Sequence, residues 1–288
     1  MRYETEKIQA PAQIQKVLTI DANGIEERND LLAVEAPLEI RLGYGRKGDR
    51  VQKSISITMR TPGHDLELSM GFLFGEGIIR SKEDIYSIKH CTDQGKEESR
   101  GNVVRVELAE TCQPDLKKLE RQFYTTSSCG ICGKASIEAI QNLHCEFISL
   151  KKDWIHKDLI HPLGEKVRER QQIFSYTGGL HAAALFNRRG ELLRLREDVG
   201  RHNALDKLIG AEFFEGKLPA DDKILFLSGR ISFELVQKAL AARIPLIVAV
   251  GAPSSLAVEL AQESGISLIG FARQHRFNIY THTQRLHL

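Results

Sequence analysis

Cys129 and Cys132 are separated by Gly130 and Ile131 within Thr125-Thr126-Ser127-Ser128-Cys129-Gly130-Ile131-Cys132-Gly133-Lys134. Two thiols at this spacing can bind a metal, close a disulfide, or carry a sulfur atom in transit. A helical pattern follows at once, so the thiols stand where the positive end of a helix dipole favours thiolate, and Lys134 adds a nearby cation. The small, polar neighbours predict an accessible loop. A structural zinc site needs a second such pair, or further ligands at finger spacing. Only His144 and Cys145 follow, and adjacent residues are poor geometry for one tetrahedral centre, so no structural metal is expected. A thioredoxin-like site would follow the first strand of a βαβ unit, whereas Leu119 to Tyr124 and a polar loop precede this pair. What remains is nucleophilic sulfur chemistry. A low-pKa thiolate takes sulfur from a donor, holds it as a persulfide, and releases it with help from the second thiol.

The C-terminal half carries candidate anion sites. Ser228-Gly229-Arg230-Ile231-Ser232 follows an apolar run and precedes a helical pattern, and Gly251-Ala252-Pro253-Ser254-Ser255 does the same before the next helix. Free backbone N–H groups at such turns bind phosphate, and Arg230 can grip it bidentately; simple capping by Ser, Gly and Pro is the competing explanation. Phe271, Ala272, Arg273, Gln274, His275 and Arg276, followed by Phe277, combine rings and cations suited to stacking on a base and neutralising phosphates, or to a plain basic turn. Gly43-x-Gly45-x-x-Gly48 matches a dinucleotide-binding string, but strand-like segments flank it on both sides, which predicts a hairpin. In Glu197 to Lys207, His202 and Asp206 stand at i, i+4 and could share a metal; a surface ion-pair network is the preferred reading.

These residues need a scaffold. Residues 1–15 read as an extended arm or leading strand, and Leu31 to Leu42 as one or two strands broken near Pro37. Strands follow at Ser54 to Met59 and Val103 to Leu108, with a helix from near His64 that places Leu66, Met70, Leu73 and Phe74 on one face. A further helix is predicted over 135–144. Strands are predicted at Ile173 to Tyr176, Ala183 to Phe186, Leu192 to Arg196, Ile224 to Leu227, Leu246 to Val250 and Leu268 to Phe271, with an edge strand at Phe277 to Thr281. Helical stripes lie at Ala204/Leu205/Leu208/Ile209, Leu235/Val236/Ala239/Leu240 and Leu256/Ala257/Leu260/Ala261. This alternation predicts an α/β fold: a layered domain over 121–288 with a mixed, largely parallel sheet, carrying the thiol loop and the anion site, and a smaller α+β domain over 1–120.

A formal charge of +2 gives no global field that calls for nucleic acid, and no apolar run is long enough for a membrane span. The opening residues lead into no apolar stretch, so no secretory leader is expected. Five cysteines are too few for a disulfide framework and suit a reducing, cytoplasmic setting.

Taken in order, several blocks resemble the FdhD/NarQ family of sulfur carriers required for formate dehydrogenase activity. They are Thr61-Pro62-Gly63-His64-Asp65, Gly71-Phe72-Leu73-Phe74-Gly75-Glu76-Gly77-Ile78-Ile79, Ser128 to Lys134, Thr177-Gly178-Gly179-Leu180-His181-Ala182-Ala183, Glu197 to Lys207, and Ser228 to Glu234. Ser254 departs mildly from the expected Thr and keeps the hydroxyl. The resemblance implies that Cys129 receives persulfide sulfur from a cysteine desulfurase and that Cys132 supports its transfer. The acceptor would be the molybdenum cofactor, bis-molybdopterin guanine dinucleotide, bound as substrate before insertion into formate dehydrogenase. Its guanine end would be held near Phe271 to Arg276. A cytidine-deaminase-like fold and a homodimer are also implied. Deaminase chemistry is not, because Ala183 stands where His-x-Glu would need its carboxylate. A cofactor-binding chaperone without sulfur chemistry, and a thiol-disulfide oxidoreductase using Cys129 and Cys132, are the competing classes.

Overall fold

The computed structural model describes residues 2–3, 9–22, 24–91, 101–112, 114 and 147–288. Cys129, Cys132, the helix expected over 135–144 and the boundary expected near 120 lie outside the described residues. The N-terminal half contains β1 (Arg2–Tyr3), β2 (Ala12–Asp21), β3 (Gly24–Ala33), β4 (Ala36–Tyr44), β5 (Val51–Arg60), α1 (Asp65–Gly75), β6 (Ile85–His90) and β7 (Val103–Leu108). A five-stranded sheet runs β1-β6-β7-β4-β5. Every second residue of β4 (Leu38, Ile40, Leu42) and of β7 (Val104, Val106, Leu108) is fully buried, the period-two pattern of a half-buried sheet. Leu66, Leu68, Met70 and Leu73 of α1 join this core.

The leading segment is more than an arm. β2 and β3 pair along their whole length into a separate antiparallel ribbon. The break expected near Pro37 falls instead at Val34 and Glu35, and Pro37 lies inside β4. It is tolerated because β4 pairs only with β5 at that end, and its pairing to β7 begins at Glu39, so the missing N–H costs no second ladder. Gly45 and Gly48 take positive φ, 104° and 99°, in the loop that turns β4 into antiparallel β5. The glycine string is therefore a hairpin, closed by the Arg50 guanidinium, which donates to the carbonyls of Gly43 and Gly45 (both 3.1 Å).

The C-terminal half contains β8 (Ile155–His156), α2 (Leu163–Arg170), α3 (Gln172–Thr177), β9 (His181–Phe186), β10 (Leu192–Asp198), α4 (Arg201–Glu215), β11 (Ile224–Leu227), α5 (Phe233–Ala241), β12 (Leu246–Ala249), α6 (Ser255–Ser264), β13 (Ser267–Gly270), β14 (Asn278–Thr281) and β15 (Leu286–His287). The main sheet runs β10-β9-β11-β12-β13-β14. Its centre, β11 to β13, is parallel and the other three pairings are antiparallel, so the sheet is mixed as expected but not largely parallel. The cause is local: a turn at Asn187 to Glu191 is far too short for a crossover and folds β10 back on β9. Helices α4, α5 and α6 cover one face. Trp154, Leu163 and Val167 of the α2 region and Leu286 cover the other. Buried on both faces, β11 and β12 are continuously apolar.

The strand expected at Ile173 to Tyr176 is corrected to helix α3. Its β-branched and aromatic content favours a strand, but the Glu197 carboxylate accepts from the N–H groups of Ile173 (3.1 Å) and Phe174 (2.9 Å) and caps the turn. Gly178 ends it in the left-handed conformation, φ 67°.

The two halves meet where α1 crosses α4. A Cβ placed on Gly71 would lie 2.6 Å from the Asp206 carbonyl carbon, and one on Gly210 would lie 2.6 Å from that of Glu67. Glycine on each helix lets the two backbones touch, and Phe213 of α4 reaches into the N-terminal core.

Candidate functional site

Three turns leave the carboxyl ends of β11, β12 and β13 and are tied side by side by backbone hydrogen bonds. Gly251 N–H donates to Gly229 O (3.1 Å), Ile231 N–H to Ala252 O (3.0 Å), and Phe271 N–H to Gly251 O (3.2 Å). Such close packing needs glycine: a Cβ on Gly251 would sit 2.7 Å from both Gly229 O and Arg230 N. Phe271 itself takes a positive φ of 52°, uncommon for a bulky residue and held here by the neighbouring turn. Arg273 N–H donates to Arg276 O (2.9 Å), which curls 271–276 over, and Arg273 Nη1 donates to Val250 O (3.2 Å). His161 packs against Phe277, ring centres 5.0 Å apart and planes tilted by 48°.

Arg230 therefore shares one rim with Phe271, Ala272, Arg273, Gln274, His275 and Arg276. Arg230 and 273–276 are exposed, while Phe271 and Ala272 are half-buried. Ser228 has a structural duty there, since its Oγ accepts from Ala182 N–H (2.8 Å) and joins β11 to β9. Ser254 behaves as a plain helix cap, accepting from Ala257 N–H (3.3 Å). Ser232 does not cap α5 with its side chain; its Oγ lies 3.0 Å from His202 Nε2.

Beside the rim, α2 and α3 lean over the same strand ends and enclose a cleft of about 400 Å³, whose walls include Arg168, Gln171, Phe174, His181, Ser228 and Val250. The Arg168 guanidinium lies 5.6 Å from the Phe174 ring centre. Burial, reinforced by the Arg201 cation, pushes the His181 pKa below the ordinary 6.5, so its imidazole is neutral at neutral pH. None of the described residues lining the cleft carries a carboxylate. Sequence reasoning named His181 within a motif and as the histidine of an incomplete deaminase pair, and passed over Arg168, Gln171 and Phe174. The Gly178-Gly179 pair before His181 was the available signal.

The block from Glu197 to Lys207 differs from the expected surface ion-pair network. Asp198 and Lys207 are buried, with Lys207 Nζ 2.7 Å from Asp198 Oδ2. Asp198 also accepts from Thr61 N–H (3.1 Å) and Gly200 N–H (2.8 Å), and Lys207 donates to Thr61 O (2.8 Å). This polar knot joins the two halves. His202 and Asp206 do not converge on a shared centre: Asp206 pairs with Lys238 (2.8 Å) while His202 faces Ser232 and Glu234. Among the described residues no helix is long and apolar enough to cross a membrane.

Comparison with known proteins agrees with this arrangement. The FdhD/NarQ family model matches residues 33–287. Sulfur carrier protein FdhD of Mycolicibacterium paratuberculosis is 45% identical over 273 residues, 94% of this chain and 97% of that protein. The protein of the same name from Streptomyces avermitilis is 45% identical over 276 residues, 95% of each chain. A crystal structure described as a formate dehydrogenase accessory protein from Desulfotalea psychrophila matches with a TM-score of 0.71 at 26% identity, covering 96% of this chain and all of that one. With the family pattern running through nearly all of its length, and the fold shared with a solved structure, this chain belongs to the FdhD/NarQ family.

Proposed function

We propose that this protein takes sulfur from a cysteine desulfurase onto Cys129 and passes it to bis-molybdopterin guanine dinucleotide before that substrate enters formate dehydrogenase. One observation carries the substrate side: the turns after β11, β12 and β13 converge on a rim that presents Arg230, Arg273 and Arg276 at the strand ends where open α/β sheets bind ligands. A large polyanion suits such a rim, and the relatives named sulfur carrier proteins support the sulfur side.

In loading, the Cys129 thiolate attacks the outer sulfur of the desulfurase persulfide. A new S–S bond forms on Cys129, and the desulfurase leaves as its thiolate. In release, the Cys132 thiolate attacks the inner sulfur of Cys129, forms a Cys129–Cys132 disulfide, and expels hydrosulfide toward the bound substrate. The two thiols supply the electrons that reduce the carried sulfur to sulfide. The rim holds the pyrophosphates, with the guanine end near Phe271 to Arg276. This reading includes a cytidine-deaminase-like layering of the C-terminal half without deaminase chemistry, a homodimer, and a cytoplasmic location.

The test is intact-mass spectrometry after incubation with a cysteine desulfurase and cysteine. The wild-type chain gains one sulfur atom and Cys129→Ala gains none; a Cys129→Ala chain that still loads sulfur rejects the assignment. A cofactor chaperone would bind substrate equally well without either thiol, and an oxidoreductase would require both thiols and ignore the nucleotide.

A further inference from the structure

Arg201 is a cation to which the described residues offer no counterion. Its Nε is buried without a hydrogen-bond partner, and no described acceptor bonds the rest of the guanidinium. Such nitrogens are nearly always paired, because shedding water without a replacement bond is costly. The carboxylates of the adjoining segments are committed elsewhere. Asp198 is held by Lys207 and by the N–H groups of Thr61 and Gly200, Glu197 caps α3, and Glu234 faces His202. Arg201 also opens α4, which begins without a side-chain cap, so the positive end of the helix dipole adds to the same field.

His181 and Arg201 meet over Gly229. A Cβ on Gly229 would lie 3.2 Å from His181 Cε1 and Nδ1 and 3.8 Å from Arg201 Cδ. Gly229 is not among the glycines with positive φ, so its backbone would accept a side chain; the glycine instead keeps the gap between imidazole and guanidinium clear. All three residues are half-exposed, so the gap opens to solvent. The neutral His181 ring adds a hydrogen-bonding group without a second positive charge. One fixed cation and one neutral ring across a narrow gap suit a small monoanion, whereas the exposed arginines of the rim suit phosphates. The release step proposed above produces such an ion. Attack of the Cys132 thiolate on the inner sulfur of Cys129–S–SH forms the Cys129–Cys132 bond and breaks the bond to the outer sulfur. That sulfur keeps its proton and the bonding pair and leaves as HS⁻. We propose that Arg201 and His181, across Gly229, form a subsite that holds this hydrosulfide, the guanidinium neutralising its charge and the imidazole bonding its sulfur. The inference rests on the sulfur-carrier reading above and deepens it by naming two residues that touch the transferred atom.

The experiment is anaerobic calorimetric titration of the reduced full chain with sodium hydrosulfide and, separately, with sodium phosphate. The variants are Arg201→Met, Arg201→Lys, His181→Phe and Gly229→Ala, each checked for folding by urea denaturation. Arg201→Met is expected to bind hydrosulfide about tenfold more weakly than wild type, and Arg201→Lys, which keeps the charge, to recover part of the loss. Gly229→Ala fills the gap while leaving both side chains in place, and is expected to weaken binding as well, so the proposal stays open to refutation if Arg201→Met fails to fold. Unchanged hydrosulfide affinity in the folded variants overturns the proposal. So does a wild-type chain in which phosphate, and not hydrosulfide, depends on Arg201, which would make the gap part of the polyanion rim. Intact-mass measurement of sulfur loading on wild type separates the two readings. A chain that loads Cys129 but binds no hydrosulfide overturns the subsite alone, and a chain that loads no sulfur overturns the carrier reading and the subsite with it.

Discussion

Gly210→Ala sets two physical effects of opposite sign against each other. Gly210 lies inside α4, where alanine is the better helix former by about 1 kcal/mol. The new methyl would stand 2.6 Å from the Glu67 carbonyl carbon and 2.9 Å from Gly71 N, both backbone atoms of α1 that cannot rotate away. The Glu67 carbonyl oxygen lies closer still, and ordinary van der Waals contact begins near 3.4 Å, so α1 and α4 must part by more than an ångström. That gap forfeits a sizeable part of the dispersion energy along the crossing, including contacts of Phe213 in the N-terminal core. Overpacking of this kind costs about 1–3 kcal/mol, occasionally more, and contact with rigid backbone points to the upper end. After the propensity gain, a net loss of about 2 kcal/mol remains. Urea denaturation followed by fluorescence of the buried Trp154 measures it. Gly75→Ala is the comparison, since its methyl meets side-chain rather than backbone atoms, Lys238 Nζ at 3.1 Å and Cγ at 3.2 Å, and should cost less. A Gly210→Ala protein as stable as wild type, or more so, would refute the crossing as the constraint and leave helix propensity in command.

Other consequences are equally direct. Lys207→Met strands the Asp198 charge in a fully buried site and should cost about 3–5 kcal/mol by chemical denaturation, part of it recovered in Lys207→Met/Asp198→Asn. Burial opposes the charge on Glu67, but Arg196 and His64 outweigh it and hold its pKa at about 2, against an ordinary 4.5. A folded value lowered in this way stabilises the protein above pH 4.5, and that contribution is lost as pH falls toward 2. The denaturation midpoint of Glu67→Gln should therefore fall less steeply than wild type across that window, and parallel profiles would exclude the effect. Glu234, whose pKa His202 lowers to about 2, adds to the same acid limb. Arg276→Ala should weaken GDP binding by about 1–3 kcal/mol through a lost charge-assisted contact, with calorimetry as the check.

Much of the fold was legible because its signals are local. The stripes of α4, α5 and α6 follow from side chains three and four residues apart, and the apolar runs of β11 and β12 from burial on both faces. The glycine string read as a hairpin because its flanking segments alternate, and the rim residues Arg230 and Phe271 to Arg276 were named from turn chemistry and composition. The thiol pair Cys129 and Cys132 was singled out from the sequence and lies outside the described residues.

Tertiary structure decided whatever depended on a distant partner. Ile173 to Tyr176 carries strand-like residues, and it is helical because Glu197, more than twenty positions away, caps its first N–H groups. Asp198 and Lys207 look like solvated charges, yet Thr61, 137 positions before Asp198, supplies the bonds that let them be buried. Gln171 reads as an ordinary polar residue between helices until the cleft closes around it. Side-chain chemistry and short-range periodicity act through neighbours in the chain and can be read in one dimension. Burial, charge pairing and strand direction act through neighbours in space, and only the folded chain brings those together.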